Sequence, residues 1–91
     1  MYKIKQVGID WDSLVAYGDE YVGKGRVEGI ENGKITLDTF KFSYDRCDRE
    51  GHPVAIYRKT LNQVYTEEDI AEIERLLEEN IICNINYLEQ L

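Results

Sequence analysis

Two cysteines, one proline, one histidine and no long apolar run mark this 91-residue chain, and each scarcity excludes something. Cys47 and Cys83 stand far apart in a sequence with no charged-then-apolar leader, which reads as two reduced thiols rather than a disulfide. The lone His52 has no Cys or His at ligand spacing, and the acids in the turns lack the alternating pattern of a calcium loop. No metal and no other cofactor is therefore expected. Nothing in the chain approaches the roughly 18 consecutive apolar residues of a membrane span, so a cytoplasmic protein is the expectation.

Basic charge is scarce in one place only. Residues 1–65 carry ten acids and ten bases, whereas residues 66–91 carry Glu67, Glu68, Asp69, Glu72, Glu74, Glu78, Glu79 and Glu89 against Arg75 alone. The whole net charge of -7 belongs to that last part. Charge of one sign confined to one element can steer a partner of the other sign, which evenly spread charge cannot do.

What is plentiful argues for a folded chain. Apolar residues make up 43% of the sequence and ten side chains are aromatic, enough to offset conformational entropy by burial. At this length one domain spanning residues 1–91 is expected. Its core is thin enough that burial against a second copy would help, so a homo-oligomer is the natural expectation.

Residues 2–9 alternate apolar and polar, then change parity between Ile4 and Val7, as a strand with a bulge or kink near Gly8 would. Between Asp10 and Tyr21, Asp12 or Ser13 could cap a short helical turn that Gly18-Asp19 would end. Asn32-Gly33 supplies the two positive φ angles of a type I′ turn, and alternating residues on both sides predict a long hairpin. Residues 45–53 are polar and end in Gly and Pro, hence a loop, and residues 54–60 read as a further strand. Thr66 and Asp69 form a capping-box pair ahead of a helix over about residues 67–79, with Ile70, Ile73, Leu76 and Leu77 on one stripe and Asn80 as its stop. Beyond Asn80 both a strand and a continued helix fit. The isoleucines and asparagines favour the strand. The fold class is α+β: an antiparallel sheet of three to five strands, curled to SH3-like size, packed against one amphipathic helix.

The acidic helix is the first candidate site. Glu68, Glu72 and Glu79 fall opposite the apolar stripe, with Arg75 between them, and Glu67, Glu74 and Glu78 line one flank. Glu78 and Glu79, placed in the last turn, would oppose the helix dipole, and the pairs Glu68/Glu72 and Glu74/Glu78 would repel at i,i+4. Carboxylates that work against their own helix point to docking on a basic, nucleic-acid-binding surface of a partner protein. An inhibitor of a host defence nuclease, encoded by a phage or mobile element, fits by size and charge alone. Trp11, between Asp10 and Asp12, is the anchor candidate, against a plain role in the core.

Competing features are weaker. Lys24, Arg26, Lys34, Lys41, Arg58 and Lys59 with Phe40, Phe42, Tyr44 and Tyr57 could bind a single strand of nucleic acid, but interleaved acids and the overall charge oppose it. Gly23, Gly25 and Gly29 lack the spacing of a phosphate loop and read as sites of close packing. Cys47 and His52 share a loop with Asp45 and Asp48, yet no oxyanion donor accompanies them, and no enzyme is expected. The alternative is an oligomeric ligand-binding or sequestering module with a pocket between sheet and helix or between subunits.

Overall fold

In the computed structural model, residues 2–47, 51, 53–84 and 86 are described. Strands β1 (Tyr2–Tyr17), β2 (Glu20–Glu31), β3 (Lys34–Asp45) and β4 (Val54–Tyr57) form one antiparallel sheet in the order β1-β2-β3-β4. A 3₁₀ turn at Arg58–Thr60 leads to helix α1 (Glu67–Cys83), which covers one face of the sheet. The α+β class holds, with four strands.

Turn chemistry sets the hairpins. Asn32 and Gly33 have φ of 53° and 79°, the pattern of a type I′ turn. Tyr17 pairs with Glu20, so Gly18-Asp19 closes the first hairpin in two residues, with positive φ at Gly18 alone, as in a type II′ turn.

The helical turn expected between Asp10 and Tyr21 is instead strand. The pairing of β1 with β2 slips between Asp10 and Val15, and Ser13 holds the irregularity: its hydroxyl donates to the Asp10 carbonyl at 2.6 Å and accepts from the Lys24 N–H at 2.8 Å. The cap-like serine thus serves a bulge. A second register shift lies between Ile4 and Gln6, while Gly8 pairs regularly with Arg26, so the predicted bulge sits earlier than expected. The β4 ladder also ends at Tyr57, short of Thr60.

The core lies between the sheet and the helix. Val7 and Ile9 of β1, Val27 of β2, Phe40, Phe42 and Tyr44 of β3 and Val54 and Ile56 of β4 face Ile73, Leu77 and Ile81 of α1. Three glycines on the core face of β2 make room for large side chains. At Gly25 a Cβ would lie 2.5 Å from the Phe40 ring, so the ring rests on bare backbone.

Thr66 caps α1 as expected, its hydroxyl accepting from the Asp69 N–H at 3.1 Å with the Asp69 carboxylate reaching back at 3.4 Å. Asn80 does not stop the helix, and the strand expected after it is helix through Cys83. Two interactions explain this. Ile81 continues the stripe of Ile70, Ile73 and Leu77 and is 1% exposed, a burial worth about 1.5 to 3 kcal/mol. Asn80 stays helical and donates its side-chain amide to the Val7 carbonyl at 3.2 Å. Ile85 and residues 87–91 lie outside the described residues.

A carboxylate enters the core. Asp38 is 3% exposed, and its carboxylate accepts from the backbone N–H groups of Thr39, Asn62 and Gln63, the side-chain amide of Asn62 and the hydroxyl of Tyr65. Residues 61–65 are folded around this acid. Burial alone would raise its pKa, but the converging donors outweigh that and hold it below the usual carboxylate value.

Candidate functional site

The capping box and the buried stripe fix which side of α1 faces solvent. Glu68 and Glu79 are exposed there and Glu72, Glu74 and Glu78 half-buried. Arg75 stands among them and binds two: Nη2 reaches Glu72 Oε1 at 2.5 Å and Nη1 reaches Glu79 Oε1 at 2.7 Å. These contacts lower the Glu72 pKa and raise that of Arg75. Arg58, from the 3₁₀ turn, clasps Glu67 through both guanidinium nitrogens at 2.5 and 2.9 Å. The basic partner of Glu67 was hidden in the sequence, since only the turn at residues 58–60 carries Arg58 to the start of α1.

The acidic surface is therefore narrower than the sequence reading had it. Among the described residues, Glu68 and Glu78 form no ion pair within 4.0 Å. Glu74 and Glu78 line a groove of about 220 Å³ between α1 and Gly51, Pro53 and Val54, beside Ala71 and Arg75. Glu74 also exerts its charge on Arg58. The dipole argument changes as well. Because α1 continues to Cys83, Glu78 and Glu79 precede its last turn, and the dipole acts only within that turn. The first-turn acids Glu67, Glu68 and Asp69 remain favourable to the helix.

Trp11, the anchor candidate, belongs to the sheet and not to α1. It lies on β1 beside the Ser13 bulge, half-buried and packed against the core.

Among the described residues, no element covers the opposite face of the sheet. Register places Val15, Tyr17, Ile35, Leu37 and Tyr57 on it, 48%, 66%, 62%, 73% and 42% exposed. Lys24, Arg26 and Lys41 share that face, whereas Phe40, Phe42 and Tyr44 point into the core. Of the aromatics proposed for stacking on nucleic acid, only Tyr57 lies with those cations, as the period of two along a strand dictates. The signal was in the sequence: Lys41 separates Phe40 from Phe42, so the cation and the rings must part.

The loop chemistry is equally plain. Cys47 is exposed, and the Asp19 carboxylate beside it, with a smaller contribution from burial, raises the pKa of its thiol, opposite to the shift that activates a nucleophile. His52 lies outside the described residues. No group of three or more His, Cys, Asp or Glu side chains suited to a metal occurs among the described residues. No helix among them is long and apolar enough to cross a membrane.

No protein-family model, curated protein or solved structure matches the chain. The site must be read from its own chemistry.

Proposed function

We propose that the protein is a non-catalytic interaction module that docks the acidic side of α1 on a basic surface of a partner protein and blocks it. The observation that carries this reading is the groove edge formed by Glu74 and Glu78, with the exposed Glu68 on the adjoining face of the helix and Arg75 committed to Glu72 and Glu79. Carboxylates four residues apart rise by about 6 Å along a helix, a spacing at which a lysine- or arginine-rich surface can meet them in succession. Proteins that bind nucleic acid present such surfaces, and inhibition of a host defence nuclease on behalf of a phage or mobile element is the specific case proposed.

A ligand-binding module is the second reading. Its best support is an open cleft of about 270 Å³ on the outer face of the sheet, lined by Gln6, Gly8, Arg26, Glu28 and Leu37. Small-molecule pockets are usually about 300 to 1,000 Å³, so the protein-docking reading is preferred.

The test is a pull-down from cells at a series of salt concentrations, run with the wild type and with Glu68→Lys, Glu74→Lys and Glu78→Lys combined, circular dichroism confirming that the variant is folded. A partner held at low salt, released at high salt and lost in the variant supports the proposal. A partner retained by the variant and indifferent to salt would overturn it.

A further inference from the structure

We infer that Lys24 and Lys41, on the uncovered face of the sheet, form a binding site for a small phosphate monoester. The two residues are register partners across β2 and β3. Lys24 N–H donates to the Ser13 hydroxyl on the β1 side at 2.8 Å, and Lys41 N–H donates to the Thr60 hydroxyl on the other side, also at 2.8 Å. Each turns its N–H away from the other, so they form a non-hydrogen-bonded pair, the arrangement in which facing side chains stand closest. Like charges directly opposite in a ladder destabilise it.

The charge is not neutralised from within the chain. Among the described residues, Lys24, Arg26 and Lys41 form no ion pair within 4.0 Å, and all three are exposed. Arg26 follows Lys24 on the same face. Its guanidinium lies against Gly8, where a Cβ would stand 3.2 Å from Nη2. Glu28, next along that face, is occupied: it accepts from the Gln6 amide at 2.6 Å and pairs with Lys5 at 3.8 Å.

Shape and surroundings set the class of ligand. Beside the lysine pair, where the β1 pairing slips between Asp10 and Val15, an open cleft of about 150 Å³ is lined by Val15, Tyr17 and Val22 together with both lysines. Drug-sized ligands take about 300 to 1,000 Å³, so the occupant is smaller than these. Two ammonium groups with Arg26 close by suit a dianion better than a single charge. A polyanion does not fit, because Asp10, Glu20 and Glu28 share the face and fence the positive patch. Nor does a second copy set face to face, since a two-fold axis over the lysines would bring cations against cations. The phosphate is held between the two ammonium groups, and its organic substituent lies on Val15 and Tyr17, 48% and 66% exposed. The inference is independent of the acidic side of α1, and either can fail without the other.

An NMR titration of the labelled protein with phenyl phosphate at constant ionic strength tests it, alongside inorganic phosphate and benzoate. The expected result is saturable shifts at the Val22, Lys24 and Lys41 amides with a Kd on the order of 1 mM. Benzoate, with one charge, should bind about tenfold more weakly, and inorganic phosphate, with no ring to lay on Tyr17, more weakly than phenyl phosphate. Lys41→Gln should weaken phenyl phosphate about tenfold or more, the usual effect of losing a charge-assisted hydrogen bond. The same variant should melt no lower than the wild type, because it relieves the facing like charges, and Lys24→Gln repeats the test from β2. No saturable shift up to about 20 mM, well above the expected Kd, would overturn the inference. So would undiminished binding by both folded variants, or equal affinity for the three probes.

Discussion

The hydroxyl of Tyr65 donates to Oδ2 of Asp38 at 2.9 Å, binding the approach to α1 to the middle of β3. The contact is mutual in its effect: with burial and the neighbouring Tyr2, the carboxylate pushes the phenol pKa upward, and the phenol helps to hold the carboxylate ionised. Asn62 and Gln63 add their backbone donors. Asp38→Asn turns an amide NH₂ toward donors and should cost about 2 to 4 kcal/mol, read as a lower urea midpoint.

The pH dependence has a definite sign. The folded pKa of Asp38 lies below its ordinary value of 3.8, so the unfolded chain binds the proton more readily. The contribution of the charged form is complete above the unfolded pKa and is lost as pH falls through the folded one. Urea titrations should show the gap between wild type and Asp38→Asn constant near neutrality and narrowing in acid below that value. A gap that widened in acid would contradict the assignment.

Gly25→Ala should destabilise by about 1 to 3 kcal/mol, the usual cost of forcing atoms into a packed core. Its Cβ would meet Cζ of Phe40 at 2.5 Å and the Gly8 carbonyl at 3.2 Å, and the carbonyl belongs to a paired strand that cannot swing aside. Combining it with Phe40→Leu should recover part of the loss, since the two effects share one space. Thermal denaturation of the single and double variants measures both.

Asn80→Ala should cost about 0.5 to 1.5 kcal/mol through the Val7 carbonyl, after the better helix propensity of alanine offsets a part. Amide exchange should rise in the last turn of α1 in that variant while the capped first turn stays protected. Equal protection at both ends would show that Ile81 alone holds the helix down.

Cys47 should alkylate more slowly with iodoacetamide at neutral pH than a free cysteine does, because Asp19 keeps its thiol protonated. The measurement is made in Cys83→Ser so that one exposed thiol reacts. Asp19→Asn should quicken it, whereas reaction already fast in the parent would restore the case for an activated nucleophile.

What could be read from the residues was local. Asn32-Gly33, the Thr66–Asp69 box and the alternation along β3 each act within a few positions, and each forms as expected. The failures came from side chains whose partners are remote. Ser13 is a plausible helix cap until Lys24 N–H occupies its hydroxyl, and Asn80 is a plausible stop until Val7, 73 positions away, accepts its amide. Asp38 alternates with the core positions Phe40 and Phe42, yet nothing nearby in sequence announces the donors of residues 62–65. For the candidate site the wheel put Arg75 among the acids correctly. The Arg58 clasp depended on a turn where a strand had been read, and the dipole cost at Glu78 and Glu79 depended on a helix end that lies elsewhere.

The order of the elements also has a consequence in time. All four strands precede α1, and each pairs with its neighbour in the chain, so a growing polypeptide can assemble its hairpins as they emerge. The layer that seals Phe40, Phe42, Val54 and Ile56 is nevertheless made after them all. Until Ile81 is available to pack, the nascent sheet has one finished side and one oily side. The vulnerable moment in the life of this protein is the interval between the synthesis of β4 and the docking of α1.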